Sequence, residues 1–230
     1  MFGEGHRSRV LVVVAALNEE EGIGLTIAEL RQHLENPRVL VVDGHSVDRT
    51  VEVAKGLDAD IVFQEGTGKG DAISAAIQHI NGDLDYVVFT DADYTYPAWY
   101  LLRMMRILDE NPRVGMVCGN RFNHHLNVKA MRNAFYFGNR LIAFTHNLLN
   151  GVQLRDPLTG LRVVRSEIVR NWSPQSKGFD VEVELNHHVE RQGYGIYEVD
   201  ISYRPRLGEK KLKLKHGATI LKRIVLETTY

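Results

Sequence analysis

The sequence predicts an α/β protein with a mostly parallel central sheet and helices on both faces. Short apolar runs typical of buried strands alternate with amphipathic helical patterns along the first half of the chain. Polar side chains repeatedly follow the ends of these predicted strands. With 230 residues, 44% of them hydrophobic, the chain is long enough to bury a substantial core. No linker, repeat or low-complexity stretch interrupts it, so we expect a single domain over residues 1–230.

The composition limits the classes of partner and site. A net charge of -1 gives no general attraction to nucleic acid. The single cysteine, Cys118, excludes an intrachain disulfide framework and a cysteine zinc site, and its apolar neighbours predict a buried, unreactive thiol. Residues 1–9 are polar and predict no secretory signal, and the longest apolar run, 10–17, is too short to span a bilayer.

The first half reads as strands and helices in alternation. Ile23 and Ile27 lie on one face of the first helical pattern, and Pro97 begins the last helix of this half, which ends at Asn111 and Pro112. The predicted elements are a strand at 10–16, a helix ending near 34, a strand at 39–42, a helix ending near 57, a strand at 61–63, a loop at 66–70, a helix at 71–80, a strand at 86–90, a helix at 97–110 and a strand at 114–118.

The second half is less regular. Its predicted elements are an aromatic-rich helix at 130–149, a turn at 156–160, a helix at 178–189, a strand at 196–203, a basic region at 204–215 and a final helix at 217–228. The aromatic helix is compatible with a core position and with a lipid-facing surface, and the pattern leaves both open.

The strand at 86–90 is followed by two acidic residues, Asp91 and Asp93. On an extended segment, residues two apart point to the same side. Open α/β sheets bind ligands at the carboxyl ends of their strands, and paired carboxylates suit a hard divalent cation on a diphosphate. Two turn-forming aspartates at a solvated strand end would have the same spacing, so the pair alone does not decide between these interpretations.

Other strand ends carry polar residues too: Asn18, Glu19, Asp43 and Lys69. Surface charges placed at random would not keep following the strands, so the repetition favours one shared site. Lys69 lies in the glycine-rich loop at 66–70, where it could approach a phosphate or remain a solvated surface lysine.

Several familiar motifs are absent. A Walker A motif would need glycine at 63 and Ser or Thr at 70, where the chain has Phe63 and Gly70. A dinucleotide fingerprint would need a third glycine at Ile27. The paired histidines are adjacent in sequence and do not share a helix face, and there is no G-x-S-x-G motif.

Together these segments resemble the family 2 glycosyltransferases with a GT-A (Rossmann-like) fold, and among them the dolichyl- or polyprenyl-phosphate hexose synthases. The resemblance runs in family order over almost the whole chain, and its last four segments are the ones more specific to lipid-phosphate acceptors. The matching segments are ALNEE at 16–20, DGHSVDRT at 43–50, GKGDAI at 68–73, DAD at 91–93, GNR at 119–121, DPLTGLR at 156–162, GFDVEVEL at 178–185 and RLGEKKL at 206–212.

This resemblance implies an inverting, metal-dependent transfer of a hexose from a nucleotide sugar, of the GDP-mannose or UDP-glucose type, to dolichyl or polyprenyl phosphate. It implies Mg²⁺ or Mn²⁺ as cofactor and work at the cytoplasmic face of a membrane, docked on the membrane surface or on a membrane-anchoring partner. Residues 1–120 would bind the nucleotide sugar and residues 121–230 the acceptor.

The resemblance also assigns individual residues. The donor-binding residues it implies are Ala16, Leu17, Asn18, Glu19, Asp43, Lys69, Asp91, Ala92 and Asp93, with the metal on Asp91 and Asp93. The acceptor-binding residues it implies are Arg121, Arg132, Glu182, Arg206 and Lys211. The catalytic set it implies is Asp91, Asp93, Arg121 and Arg206.

Two positions depart from the pattern and two rival functions stay open. Thr95 stands where the mannose synthases carry a glutamine that is a further metal ligand, and His45 stands where glycine or aspartate is commoner. An acceptor phosphate monoester, with a second pKa of about 6, is largely a dianion at neutral pH and needs no general base. A transferase acting on a sugar or other hydroxyl would need a catalytic carboxylate, and a non-catalytic subunit would bind the nucleotide sugar without turnover.

Overall fold

The computed structural model describes residues 9–81, 83–122, 143–145, 147–148, 153–209, 211 and 216–227. The strands are β1 (Val10–Ala16), β2 (Arg38–Asp43), β3 (Asp60–Phe63), β4 (Tyr86–Asp91), β5 (Val114–Asn120), β6 (Arg162–Arg165) and β7 (Gly195–Asp200). The helices are α1 (Ile23–His33), α2 (Thr50–Gly56), α3 (Lys69–Ile77), a 3-10 turn at Ala98–Tyr100, α4 (Leu101–Glu110), α5 (Ser166–Val169), α6 (Val181–Arg191) and α7 (His216–Glu227).

The seven strands form one sheet in the order β3-β2-β1-β4-β6-β5-β7. Strand β6 runs antiparallel to both of its neighbours, β4 and β5. The other four pairings are parallel. The prediction of a mostly parallel α/β sheet is therefore confirmed.

Both faces of the sheet are covered, which explains why β1, β2 and β4 are largely apolar. In β1, Val12 and Val14 pack with α1 and α4 on one face, and Leu11 and Val13 pack with α3 and α6 on the other. All four side chains are at most 1% exposed. Burial on both faces is the rule for parallel sheets whose crossover helices lie on each side.

The parallel register brings three strand ends to one edge of the sheet. Ala16 pairs with Asp43 on β2, and Ala15 pairs with Asp91 on β4. The polar residues that follow these strands therefore meet at the carboxyl edge, as the sequence predicts.

Two elements differ from the predicted ones near this edge. Helix α3 begins at Lys69 and not at position 71, because the backbone N–H groups of Gly70 and Asp71 donate to the carbonyl oxygen of Lys177 at 2.9 and 3.3 Å. That distant carbonyl satisfies helix-start donors that have no partner within the helix. Strand β7 ends at Asp200, level with the end of β5 at Asn120, and not at position 203.

The predicted aromatic helix at 130–149 lies mostly outside the described residues. Within it, the described side chains of Phe144 and Leu148 are 64% and 70% exposed. No helix in the described part of the chain is long and apolar enough to cross a membrane.

Candidate active site

Lys69 joins two carboxylates at the carboxyl edge of the sheet. Its Nζ donates to Asp91 Oδ1 and to Glu182 Oε1, both at 2.7 Å. Lys69 comes from the first turn of α3, Asp91 from the end of β4 and Glu182 from the first turn of α6. Three elements far apart in sequence are thus held together at one point.

The charges of this group stabilise one another. Burial raises the pKa of Asp91, but Lys69, Arg121 and Arg206 together outweigh it, and the net pKa lies below that of an ordinary aspartate. Burial opposes the charge on Lys69, but the two carboxylates raise its pKa above the usual value. Burial dominates at Glu182, whose pKa stays raised although Lys69 pulls it down. At neutral pH Asp91 is therefore ionised and Lys69 is charged.

Asp93 is held by Thr95 and Arg206. Its Oδ1 accepts from the backbone N–H and the hydroxyl of Thr95, at 3.2 and 2.6 Å, and its Oδ2 accepts from Arg206 at 2.7 Å. Thr95 is fully buried, and its hydroxyl orients Asp93 from within the turn. Burial, and next the negative charge of Asp91, raise the pKa of Asp93.

Arg206 also donates to Glu19, so that it bridges two carboxylates as Lys69 does. Its segment lies along the turn after β4, where the backbone N–H of Arg204 donates to the Thr95 carbonyl at 3.0 Å and that of Leu207 to the Asp93 carbonyl at 3.2 Å. Burial raises the pKa of Glu19 to about 7, although Arg206 counteracts it. Glu19 Oε2 is buried with no hydrogen-bond partner among the described residues.

The loops after β1 and β2 are tied to each other. Asp43 is fully buried, and its two oxygens accept from the hydroxyl and the backbone N–H of Ser46, at 2.6 and 2.8 Å. The Ser46 hydroxyl oxygen accepts from the backbone N–H of Asn18 at 2.8 Å, and Asn18 Oδ1 accepts from that of Val47 at 2.8 Å. In this arrangement, Asp43 could contact a ligand only if the turn opened.

Arg121 is bound to Asp156 by two parallel hydrogen bonds of 2.7 Å, and its guanidinium also lies over the rings of Phe122 and Tyr203. Burial opposes its charge, but Asp156 raises the pKa of Arg121 well above its usual value. This bidentate pair fixes the end of β5 against the turn at 156–160.

The turn at 156–160 also covers Asp91. A Cβ on Gly160 would lie 2.6 Å from Asp91 Oδ2, so only glycine allows this approach. The backbone N–H of Gly160 donates to the hydroxyl oxygen of Tyr96 at 2.8 Å. Behind it, the fully buried guanidinium of Arg162 donates to the carbonyl oxygens of Pro157 and Thr159, at 2.7 and 2.9 Å.

Most of the predicted site residues meet at this edge, but their partners differ from the implied ones. Lys69 contacts both Asp91 and Glu182, and Lys211 Nζ donates to the carbonyl oxygen of Asn18 at 3.4 Å. Arg132 lies outside the described residues. The remaining predicted residues, at or beside the same strand ends, are Ala16, Leu17, Asn18, Glu19, Asp43, Ala92, Asp93, Arg121 and Arg206.

The sequence reasoning missed two supporting residues, Tyr96 and Asp156. Asp156 was interpreted only as part of a turn, and its partner Arg121 is 35 residues away. An aspartate needs a charged or hydrogen-bonding partner when it is buried, but the sequence alone does not show that Asp156 is buried. Cys118, as predicted, is a buried thiol, and burial raises its pKa to about 12.

Comparison with known proteins identifies the family of this chain. Residues 11–172 match the family model described as Glycosyl transferase family 2. The chain belongs to glycosyl transferase family 2. The expected class of enzyme, a glycosyltransferase, is therefore confirmed.

Two relatives of this family 2 glycosyltransferase match over most of their length. A dolichyl-phosphate hexose transferase of Haloferax volcanii is 34% identical over 218 residues, which is 93% of this chain and 91% of the relative. An undecaprenyl-phosphate mannosyltransferase of Micrococcus luteus is 28% identical over 218 residues, which is 89% of this chain and 87% of the relative.

A solved structure supports the GT-A fold. Glucosyl-3-phosphoglycerate synthase of Mycobacterium tuberculosis, in complex with Mn²⁺, UDP-glucose and phosphoglyceric acid, superposes with a TM-score of 0.76. The superposition covers 96% of this chain and 80% of the synthase chain at 19% identity, so this likeness concerns the fold.

Proposed function

We propose that this glycosyltransferase moves a hexose from a nucleoside-diphosphate sugar to a dolichyl or polyprenyl phosphate, with inversion at the anomeric carbon. One observation carries the choice of a phosphate acceptor. Four carboxylates at the carboxyl edge are each bound to a cation, Asp91 and Glu182 to Lys69 and Asp93 and Glu19 to Arg206, while Asp43 is buried with both oxygens on Ser46. A hydroxyl acceptor needs a free carboxylate to remove its proton, whereas a phosphate does not.

The two relatives support the same acceptor class. Their names specify a dolichyl phosphate and an undecaprenyl phosphate. Exposed apolar side chains at Phe144 and Leu148 support docking on a membrane surface, since large apolar side chains in water favour such a contact. We propose that this surface is the cytoplasmic face of the membrane.

The carboxylates fit a hard divalent cation such as Mg²⁺ or Mn²⁺. Only Oδ1 of Asp91 accepts a hydrogen bond from Lys69, and no donor among the described residues binds Oδ2. No third acidic, histidine or cysteine side chain in the described ranges completes a metal cluster with this pair. Asp91 and Asp93 would therefore hold the cation together with diphosphate oxygens and water, a ligand set typical of Mg²⁺. When bound, the cation would neutralise charge on the departing diphosphate.

The charged side chains around this pair then have distinct roles. Lys69 keeps Asp91 ionised and oriented, and Glu182 fixes Lys69 from the opposite side. Arg206 and Lys211 supply positive charge for the acceptor phosphate, which would otherwise be repelled by the donor. One oxygen of that phosphate attacks the anomeric carbon, the bond from that carbon to the diphosphate breaks, and the nucleoside diphosphate leaves with the electron pair.

Glu19 favours a second candidate, transfer to a hydroxyl. Its pKa of about 7 is that of a useful general base. Against this role, the residue is only 5% exposed and is bound to Arg206. The two candidate functions differ in the acceptor, a phosphate or a hydroxyl, and a transfer assay with each acceptor distinguishes them.

The test offers the same lipid with and without its phosphate. Labelled nucleotide sugars are incubated with polyprenyl phosphate or with the matching polyprenol, with and without Mn²⁺, and the label in the organic phase is counted. We expect label in the lipid only with the phosphate and only with a divalent cation. Label in the polyprenol would favour the hydroxyl candidate, and binding of the donor without transfer to either lipid would favour a non-catalytic subunit.

A further inference from the structure

The side chain of Arg204 has no role in the transfer described above, yet three residues hold it in place. Its guanidinium donates to both carboxylate oxygens of Glu29 on α1, at 2.6 and 2.7 Å. The same guanidinium lies over the rings of Tyr94 and Trp99, with its central carbon 4.1 and 4.9 Å from their centroids. Stacking combined with two hydrogen bonds to one carboxylate needs the flat guanidinium of arginine, and lysine cannot replace it. We call these four residues the Arg204 clamp.

Tyr94 is the strained member of the Arg204 clamp. Its φ is +61°, in the left-handed region that bulky residues rarely adopt. Arg204 also donates to the backbone carbonyl oxygen of Tyr94 at 3.4 Å, so it contacts both the ring and the backbone of this residue. A tyrosine keeps such a conformation only where its surroundings hold it there. The Arg204 clamp supplies that support.

The left-handed backbone of Tyr94 shapes the turn that carries the second carboxylate of the site. Tyr94 lies between Asp93 and Thr95, and Asp93 Oδ1 accepts from the backbone N–H and the hydroxyl of Thr95 at 3.2 and 2.6 Å. These two hydrogen bonds span Tyr94. Its backbone conformation therefore fixes the orientation of the Asp93 carboxylate relative to Asp91.

Helix α1 ties the Arg204 clamp to the same turn. The hydroxyl of Thr26 donates to the carbonyl oxygen of Ala92 at 3.2 Å. Glu29 follows Thr26 by three residues and lies on the same face of the helix. On the far side of the turn, the backbone N–H of Arg204 donates to the carbonyl oxygen of Thr95 at 3.0 Å. The turn is therefore held between α1 and the segment of Arg204, and the pair of Arg204 with Glu29 joins the two.

We propose that Arg204 is a positioning residue for the metal-binding pair: by holding Tyr94 in its left-handed conformation, it keeps Asp93 aligned with Asp91. This inference rests on the proposed function, because it takes the two carboxylates as ligands of a divalent cation. The hydrogen bonds of the Arg204 side chain in the described part of the chain go to Glu29 and to Tyr94. Arg204 therefore acts through Tyr94 and not on the cation itself.

The test is titration calorimetry of the whole chain with Mn²⁺. Every variant also carries Arg206→Gln, because Arg206 would otherwise compete with the cation for Asp93 Oδ2. Two changes at Tyr94 remove the ring alike but differ in backbone preference, since asparagine tolerates a left-handed φ and the β-branched valine does not. We expect Tyr94→Asn to bind Mn²⁺ as tightly as the Arg206→Gln chain. Tyr94→Val should bind about tenfold more weakly, which corresponds to the cost of a left-handed backbone at such a residue.

Arg204→Met tests the clamp itself, because it removes the guanidinium and keeps a long apolar side chain. We expect this change to weaken Mn²⁺ binding by about tenfold when Tyr94 is present. In a chain that also carries Tyr94→Asn, the same change should cost almost nothing, because asparagine needs no support in the left-handed region. A merely structural role of Arg204 would give the same loss in both chains. Arg103→Met, at an exposed position on α4, serves as the control.

The outcomes separate this inference from the proposed function. Unchanged Mn²⁺ binding in Arg204→Met, a loss that Tyr94→Asn does not remove, or equal binding by Tyr94→Asn and Tyr94→Val would overturn the positioning role alone. The two Tyr94 variants decide the result even if Arg204→Met does not fold. Failure of the unsubstituted chain to bind Mn²⁺, with and without a nucleoside diphosphate, would overturn the metal site of the proposed function as well.

Discussion

Two cations, Lys69 and Arg206, organise the site at the scale of single residues. Each bridges two carboxylates that belong to different elements of the fold. Asp91 and Glu182 would repel each other without Lys69, and so would Glu19 and Asp93 without Arg206. A buried ion pair contributes little net stability, but removing one partner leaves an uncompensated charge.

Lys69→Met tests the first of these bridges. The change leaves Asp91 and Glu182 buried without a cation, and we expect unfolding in urea to show a loss of about 3 kcal/mol. The double variant Lys69→Met with Glu182→Gln removes one of the stranded charges and should regain part of that loss. Lys177→Met, at an exposed position nearby, serves as the control. A Lys69→Met protein as stable as the wild type would show that the bridge is unimportant.

Arg206→Gln tests the second bridge through metal binding. Arg206 occupies Asp93 Oδ2, which a divalent cation would also use, so its removal should free that oxygen. We expect Mn²⁺ to bind the donor-free variant about tenfold more tightly in calorimetry, an effect of one ordinary charged hydrogen bond. The control is Arg155→Gln, an exposed arginine paired elsewhere. Unchanged or weaker Mn²⁺ binding would show that Arg206 and the cation do not compete for Asp93.

At the scale of elements, the hydrophobic patterns of the sequence predicted those strands and helices that depend mainly on neighbouring residues. The buried runs of β1, β2 and β4 and the apolar faces of α1 and α4 were found close to their predicted positions. Strand β6 was missed, because its four residues are bounded by Arg162 and Arg165 and its partners on β4 are more than 70 residues away. The buried charge of Arg162 is satisfied by backbone oxygens of the preceding turn and by Asn186, which no periodic pattern reveals.

Helix α6 also carries Glu190, an acid whose effect on stability depends on pH. Burial raises its pKa from 4.5 to about 7. The folded protein therefore keeps this proton between pH 4.5 and 7 after the unfolded chain has lost it, so stability falls as the pH rises through that window.

Glu190→Gln should remove this part of the pH dependence. At pH 8 the variant should be more stable than the wild type by at most about 3 kcal/mol, and at pH 4 the two should be alike. Urea unfolding across this range makes the comparison, with the exposed Glu52→Gln as control. A constant difference between variant and wild type at every pH would refute the assignment.

At the scale of the whole molecule, the position of the candidate site could be predicted from the topology of the sheet. The ion pairs within the site could not. Parallel strands bring their carboxyl ends to one edge, so Glu19, Asp91 and Asp93 could be expected together. That Lys69 binds Glu182, and that Arg206 binds Glu19 and Asp93, depends on contacts across 113 or more residues and on the approach of two loops. Such pairings arise only when the fold is complete.

The most direct measurement of the central claim compares two changes on one strand. Asp91→Asn alters the carboxyl end of β4, and Asp85→Asn alters the residue just before its amino end, which binds Arg9. In the transfer of labelled hexose to polyprenyl phosphate, we expect Asp91→Asn to lose at least about a hundredfold in rate, the usual cost of losing one electrostatic group in an active site. Asp85→Asn should keep the wild-type rate. An Asp91→Asn protein that transfers hexose as fast as the wild type would contradict the assignment of this edge as the donor site.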